Sequence, residues 1–192
     1  EKKSALFMHK INGESYILYK GDNHTLRESG FICRTTSKIL EREPSLTAKL
    51  VDDQTLRRFR IAVAASGEYT TYHGGTKSDA LAAINATLTR VNGVFERDLG
   101  VTLELISNTD EVIYLDPDSD PFTGSLSSQA QNTFTTVIGE ANYDIGHLFN
   151  QRENTLDGNS GFIGAVCRDN RKGSGYTTFS TPEGDAFDID LV

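Results

Sequence analysis

From Arg58 to Phe149 the chain switches repeatedly between two hydrophobic periods, and that alternation restricts its possible folds more than any other feature. Arg58-Phe59-Arg60-Ile61-Ala62-Val63-Ala64-Ala65 has the side-to-side pattern of a strand. A polar loop through Tyr69, Tyr72, Gly74 and Gly75 follows. Leu81, Ile84, Leu88, Val91, Phe95 and Leu99 then recur at spacings of three and four, which predicts a long helix with one buried face. Thr76 stands where an N-cap hydroxyl belongs, with Asp79 three residues on, and Gly100 is placed to end the helix in the left-handed region. Residues 101–106 predict a second strand. Residues 125–141 predict a second helix, with Leu126, Phe134, Val137, Ile138 and Ala141 as its apolar set, and residues 142–149 a third strand. Strands separated by helices are joined by right-handed crossovers, so the class is α/β with a twisted, mixed, mainly parallel sheet.

The flanks read differently. Ala5-Leu6-Phe7-Met8 and Ser15-Tyr16-Ile17-Leu18-Tyr19 surround Asn12-Gly13, a pair suited to a hairpin turn. Residues 35–56 are polar and charged, as a linker is. The reading therefore divides the chain into a small β-rich segment with linker, residues 1–56, and an α/β part, residues 57–192. After Asn150 the chain is rich in Gly and Asn around one apolar run, Phe162-Ile163-Gly164-Ala165-Val166, short enough to predict an edge strand. At the end, Asp185-Ala186-Phe187-Asp188-Ile189-Asp190-Leu191-Val192 reads as the opening turns of a helix whose apolar face is still being laid down. Its expected continuation lies beyond Val192.

Charge narrows the partners. A net charge of -8 and a pI near 5.0, with no cluster of Lys or Arg among aromatics, exclude a phosphate backbone as ligand. The sequence contains no apolar run long enough to span a bilayer. Cys33 and Cys167 could form one disulfide, stay reduced, or pair elsewhere, and their number does not choose among these.

Few residues point to chemistry on their own. Asp116, Asp118 and Asp120 offer hard oxygen ligands on alternate positions, as a calcium loop does, but Pro117 and Pro121 break the EF-hand pattern and favour a solvated acidic turn. His147 sits in an apolar strand with no second histidine at ligand spacing, which favours a core role. Asn159-Ser160-Gly161 and Gly173-Ser174-Gly175 do not complete a Gly-x-Ser-x-Gly nucleophile turn. No glycine-rich phosphate fingerprint opens the long helix.

Four stretches, taken in order, carry a resemblance: Gly139-Glu140-Ala141-Asn142-Tyr143-Asp144-Ile145-Gly146-His147-Leu148-Phe149, then Gly161-Phe162-Ile163-Gly164-Ala165-Val166-Cys167, then Gly173-Ser174-Gly175-Tyr176-Thr177-Thr178, then residues 184–192. From about Arg57 onward the chain resembles the reprolysin-like, adamalysin-type branch of the metzincin zinc metallopeptidases. The resemblance implies the upper subdomain of that fold, with an antiparallel edge strand and two long helices. It also implies a secreted endopeptidase, signal peptide removed, acting on peptides or proteins through zinc-activated water. In that family the terminal segment leads into His-Glu-x-x-His-x-x-Gly-x-x-His, in which two histidines one helical turn apart and a third beyond a glycine hold the metal. No such motif occurs within these 192 residues. The piece alone is therefore expected to bind no zinc and to hydrolyse nothing, and truncation by proteolysis is one possible origin. The resemblance further implies that Phe162, Ile163, Gly164, Ala165 and Val166 dock an extended peptide, that Cys167 is a disulfide candidate, and that Cys33, in a propeptide-like tail, is a candidate cysteine switch. The alternative is a noncatalytic module that binds peptides along residues 162–166.

Overall fold

The structure is a computed structural model that describes residues 6–12, 15–20, 32–33, 54–189 and 192. By its contacts the chain divides into two compact units, Glu1–Gly30 and Phe31–Val192. The first holds β1 (Leu6–Asn12) and β2 (Ser15–Lys20), paired antiparallel with the register slipping between Lys10 and Asn12, while Gly13 of the expected turn lies outside the described residues. The linker expected over residues 35–56 lies mostly outside the described residues.

Among its described residues the second unit has six strands, in chain order β3 (Ile32–Cys33), β4 (Arg57–Ala65), β5 (Val101–Leu105), β6 (Ile145–Gln151), β7 (Leu156–Asn159) and β8 (Gly175–Phe179). Their order across the sheet is β3-β7-β8-β6-β4-β5. β5, β4, β6 and β8 run parallel, β7 is antiparallel to β8, and β3 is parallel to β7. The mainly parallel sheet with an antiparallel pair at one side is the architecture read from the sequence.

β4 shows how the sequence builds both layers. Ile61, Val63 and Ala65 face one side of the sheet, Ala62 and Ala64 the other, and all five are buried, as a central strand covered on two faces requires. Over the first face lies α2 (Lys77–Leu99), which contributes Ala80, Ile84, Leu88 and Val91. Its ends are as expected: the Thr76 hydroxyl accepts from the Asp79 amide at 3.1 Å, and Gly100 caps it at φ 62°. Before α2, the short α1 (Gly67–Tyr72) buries Tyr69 against Phe149 of β6.

Over the second face lies α3 (Leu126–Thr133), which passes into a π-helical segment, Phe134–Ile138. The continuous helix expected over residues 125–141 is therefore interrupted. The Thr135 hydroxyl bonds the Gln131 carbonyl at 2.9 Å and the Thr136 hydroxyl that of Asn132 at 2.8 Å, back-bonding that bends helices. Gly139, at φ 84°, then takes the chain out to a 3-10 turn, Glu140–Asn142, so β6 begins later than the sequence suggested.

Two further differences fall near the C-terminus. Residues 162–166 form no edge strand: Phe162 makes an isolated bridge and turns follow it, the Ala165 amide bonding the Phe162 carbonyl at 3.2 Å, with Gly161 and Gly164 at φ of 77° and 79°. The antiparallel strand is β7, whose Leu-Asp-Gly-Asn sequence carries little strand character. β8, Gly-Tyr-Thr-Thr-Phe, has no apolar alternation because its buried positions include Thr177 and Thr178. The terminal helix, α4 (Gly184–Asp188), forms where expected, while Asp190 and Leu191 lie outside the described residues.

Candidate functional site

The antiparallel margin is the part of the sheet suited to receiving an extended chain, because an outer strand offers backbone donors and acceptors in a row. β7 pairs with β8 from Leu156 opposite Phe179 to Asn159 opposite Tyr176. The Tyr176 hydroxyl reinforces the pair by donating to Asp157 Oδ2 at 3.1 Å. On its other side β7 meets β3, with Ile32 opposite Asp157 and Cys33 opposite Gly158. Among the described residues the outermost strand is thus contributed by residues 32–33, the segment that carries Cys33, whose side chain is not among the described groups.

Beyond β7 the loop of residues 160–174 presents two apolar side chains to solvent, Ile163 at 50% exposure and Val166 at 47%, while Ala165 is buried. Phe162 lies beneath the Arg171 guanidinium, 4.7 Å from ring centroid to carbon. Of the five residues read as a docking strand, Ile163, Gly164 and Val166 are exposed, and Ile163 and Val166 offer apolar side chains that a partner could cover. Cys167 follows as an exposed free thiol, its amide bonded to the Asp144 carbonyl at 2.9 Å.

The far end of this loop is anchored by a lysine and a glutamate that sequence reasoning passed over. Lys172, its side chain 5% exposed, donates to the Glu140 carbonyl at 2.5 Å and to Asp169 Oδ1 at 2.7 Å, and sits 4.7 Å above the Tyr143 ring. Glu140 Oε1 accepts from Thr135 Oγ1 at 2.6 Å, Gln131 Nε2 at 3.0 Å and the Asn170 amide at 3.1 Å. Desolvation, and then the charge of Glu140, push the Tyr143 hydroxyl well above its usual range. A buried charge with this many partners is a rigid anchor, so the loop is fixed at one end and exposed at the other. Only a contact map could have revealed it, since Glu140 and Lys172 are 32 residues apart.

The titratable candidates have structural partners. His147 Nε2 and Thr177 Oγ1 share a hydrogen bond of 2.8 Å, and desolvation lowers the imidazole pKa to about 4, which keeps it neutral. His73 Nε2 donates to the Pro182 carbonyl at 3.1 Å, and its pKa too is lowered by burial. Asp120 is buried, with Oδ2 accepting from the Gly67 amide at 2.7 Å and Oδ1 from the Phe122 amide at 2.8 Å. The acidic run around Asp116 and Asp118 therefore acts as a clasp on the start of α1. Among the described residues no group of three or more His, Cys, Asp or Glu side chains is placed to hold a metal ion. These residues do not fit the donor set that a zinc centre needs.

No curated protein matches the chain. The family described as metallopeptidase family M12B, reprolysin-like, matches residues 55–192, well over half the length of the chain, including strands β4 to β8 and helices α1 to α4. Fold and match agree, and the chain belongs to the reprolysin-like M12B metallopeptidases.

Proposed function

We propose that these residues form the upper part of the catalytic domain of a secreted zinc-dependent endopeptidase, and that their own task is to hold an extended peptide at the antiparallel margin of the sheet. The family match over residues 55–192 carries the reading. Zinc, when bound, supplies an activated water for peptide-bond hydrolysis in enzymes of this kind. Its histidine ligands are proposed to come from sequence outside these 192 residues, and the chain by itself is proposed to be inactive. The docking surface is proposed to comprise residues 162–166, through exposed Ile163 and Val166, together with β7.

The zymogen reading goes with this. β3, which carries Cys33, occupies the outer side of β7, and a segment seated there competes with any peptide adding to the same strand. A parallel pair of two residues is short and its hydrogen bonds slanted, so it is displaceable. Cys33 is proposed as the thiolate that holds the enzyme latent. Replacing Cys33 with Ser in the natural protease is expected to raise basal proteolysis, and unchanged latency would exclude the switch.

Docking is tested by titrating an extended peptide against the 192-residue chain and a Cys33→Pro variant, which weakens β3 pairing, while following amide shifts. Shifts at Leu156–Asn159 and Ile163 to Val166, larger in the variant, are expected. Absence of shifts there in both proteins would rule the docking surface out. Zinc stoichiometry of the natural product separates the endopeptidase from the noncatalytic alternative, which expects none.

A further inference from the structure

Helix α4 has five residues, far too few to be stable from its own hydrogen bonds, so its orientation must be imposed from outside. Two kinds of contact impose it. Phe187, fully buried, packs against Phe149 of β6 and Tyr69 of α1, with ring centroids 5.2 and 6.2 Å away. The second contact is ionic and comes from the long helix α2. Arg90 meets both Asp185, through Nη2, and Asp188, whose Oδ2 accepts from Arg90 Nη1 at 2.6 Å. Thr87, three residues before Arg90 on the same face, donates its hydroxyl to Asp188 Oδ1 at 2.7 Å. Both oxygens of Asp188 are thus taken by α2, and the side chains of Asp185 and Asp188 are only 9% and 7% exposed.

A buried ion cluster is a poor source of stability, because desolvating the charges offsets most of their attraction, and apolar residues of equal volume often do as well. What it supplies is geometry. A planar guanidinium engaging two carboxylates one turn apart fixes both the distance and the roll of the helix that carries them, whereas the Phe187 ring alone leaves α4 free to turn about its anchor. We propose that Arg90, assisted by Thr87, is a positioning residue that sets the roll of α4 against α2. The consequence for peptide hydrolysis rests on the endopeptidase reading: α4 is oriented from within the domain before any peptide docks. The local geometry stands without that reading.

Among the described residues, the other titratable groups near this cluster are Glu183, which adjoins α4 and accepts from the Tyr72 hydroxyl at 3.0 Å, with His73 beside it, and Tyr69, whose hydroxyl feels the charge of Asp188. Removing Arg90 takes from Asp188 the cation that its Oδ2 bonds, with Glu183 close by. Desolvation raises the Asp188 pKa and Arg90 opposes that rise, so in such a variant the Asp188 carboxyl ionises at higher pH, and repulsion grows as pH rises.

The test is amide hydrogen exchange on the whole 192-residue chain, read at Ile189 and Val192, whose amides bond the Asp185 and Phe187 carbonyls at 3.0 Å each. In Arg90→Met these two amides are expected to exchange at least tenfold faster, with those of Leu88 in α2 and Leu148 in β6 unchanged. After correction for intrinsic rates, the acceleration is expected to be greater at pH 8 than at pH 5. Arg90→Lys, which can satisfy one carboxylate, is expected to be intermediate. Unaltered exchange, or equal acceleration throughout α2 and the sheet, or no dependence on pH, would overturn the proposal. Should Arg90→Met not fold, Thr87→Val decides: a severalfold acceleration confined to Ile189 and Val192 supports it, and no change or a uniform one overturns it. Loss of peptide docking at the sheet margin with the α4 amides unchanged would count against the endopeptidase reading alone.

Discussion

Arg60 and Asp144 are joined at four points: Nη2 to Oδ1 at 2.8 Å, Nε to Oδ2 at 3.2 Å, the Arg60 amide to Oδ2 at 2.8 Å, and the Asp144 amide to the Arg60 carbonyl at 2.9 Å. Arg60 Nη1 also donates to the Ala141 carbonyl at 2.9 Å, and the Asp144 carbonyl receives the Cys167 amide at 2.9 Å. One pair therefore ties β4 to the turn before β6 and to the loop that carries Ile163 and Val166.

The Arg60 side chain is 47% exposed, so solvent screening keeps the pair weak in spite of its geometry. Arg60→Ala is expected to lower stability by about 1 kcal/mol, the order of one exposed pair plus a lost hydrogen bond, in urea denaturation at pH 7. The hydrogen bonds from Arg60 hold the Asp144 carboxyl below its usual range. Because the folded pKa lies below the unfolded one, this stabilisation is present above about pH 4 and is lost as pH falls through the folded value. The gap between wild type and Arg60→Ala should therefore close in acid.

His147 has the same sign for a different reason. Desolvation depresses its pKa to about 4, below the unfolded value near 6.5, so the folded state resists protonation. Stability is full above about pH 6.5 and falls between there and about pH 4. The His147 ring protons, followed by NMR, should titrate near pH 4. A midpoint near 6.5 would show that the ring is solvated.

Gly67 opens α1 against the acidic turn, and a Cβ there would lie 2.2 Å from the Pro117 nitrogen and 2.4 Å from the Asp116 carbonyl carbon. Both neighbours are backbone and cannot swing aside. Gly67→Ala is expected to cost more than about 2 kcal/mol, as overpacking of a rigid site does. With both Asp120 oxygens already accepting amides, millimolar calcium should leave the thermal midpoint unchanged. A clear rise on adding calcium would mean that the turn binds the ion after all.

The legible parts of this fold are those where burial is one-sided or complete. α2 was readable to its caps because Thr76, Asp79 and Gly100 carry the signals of a helix start and stop, and β4 because its buried positions are aliphatic. β8 escaped notice because Thr177 and Thr178 are buried by satisfying polar partners, His147 and Asn150, and a buried threonine looks like a loop residue in sequence. Residues 162–166 misled for the opposite reason. Ile163 and Val166 give the run a strand's hydropathy, yet both face solvent, and glycines at positive φ fold the run into turns. The anchor of Lys172 on Glu140 and the clamp of Arg90 on Asp185 and Asp188 join residues far apart in the chain, so no local pattern announces them.

The endopeptidase reading is tested most directly by hydrolysis of a quenched-fluorescence peptide by the natural protein that contains these residues. Cleavage is expected, abolished by a chelator and restored by added zinc, at one zinc per molecule. Cleavage indifferent to chelation, or a zinc-loaded protein that cuts no peptide bond, would contradict it.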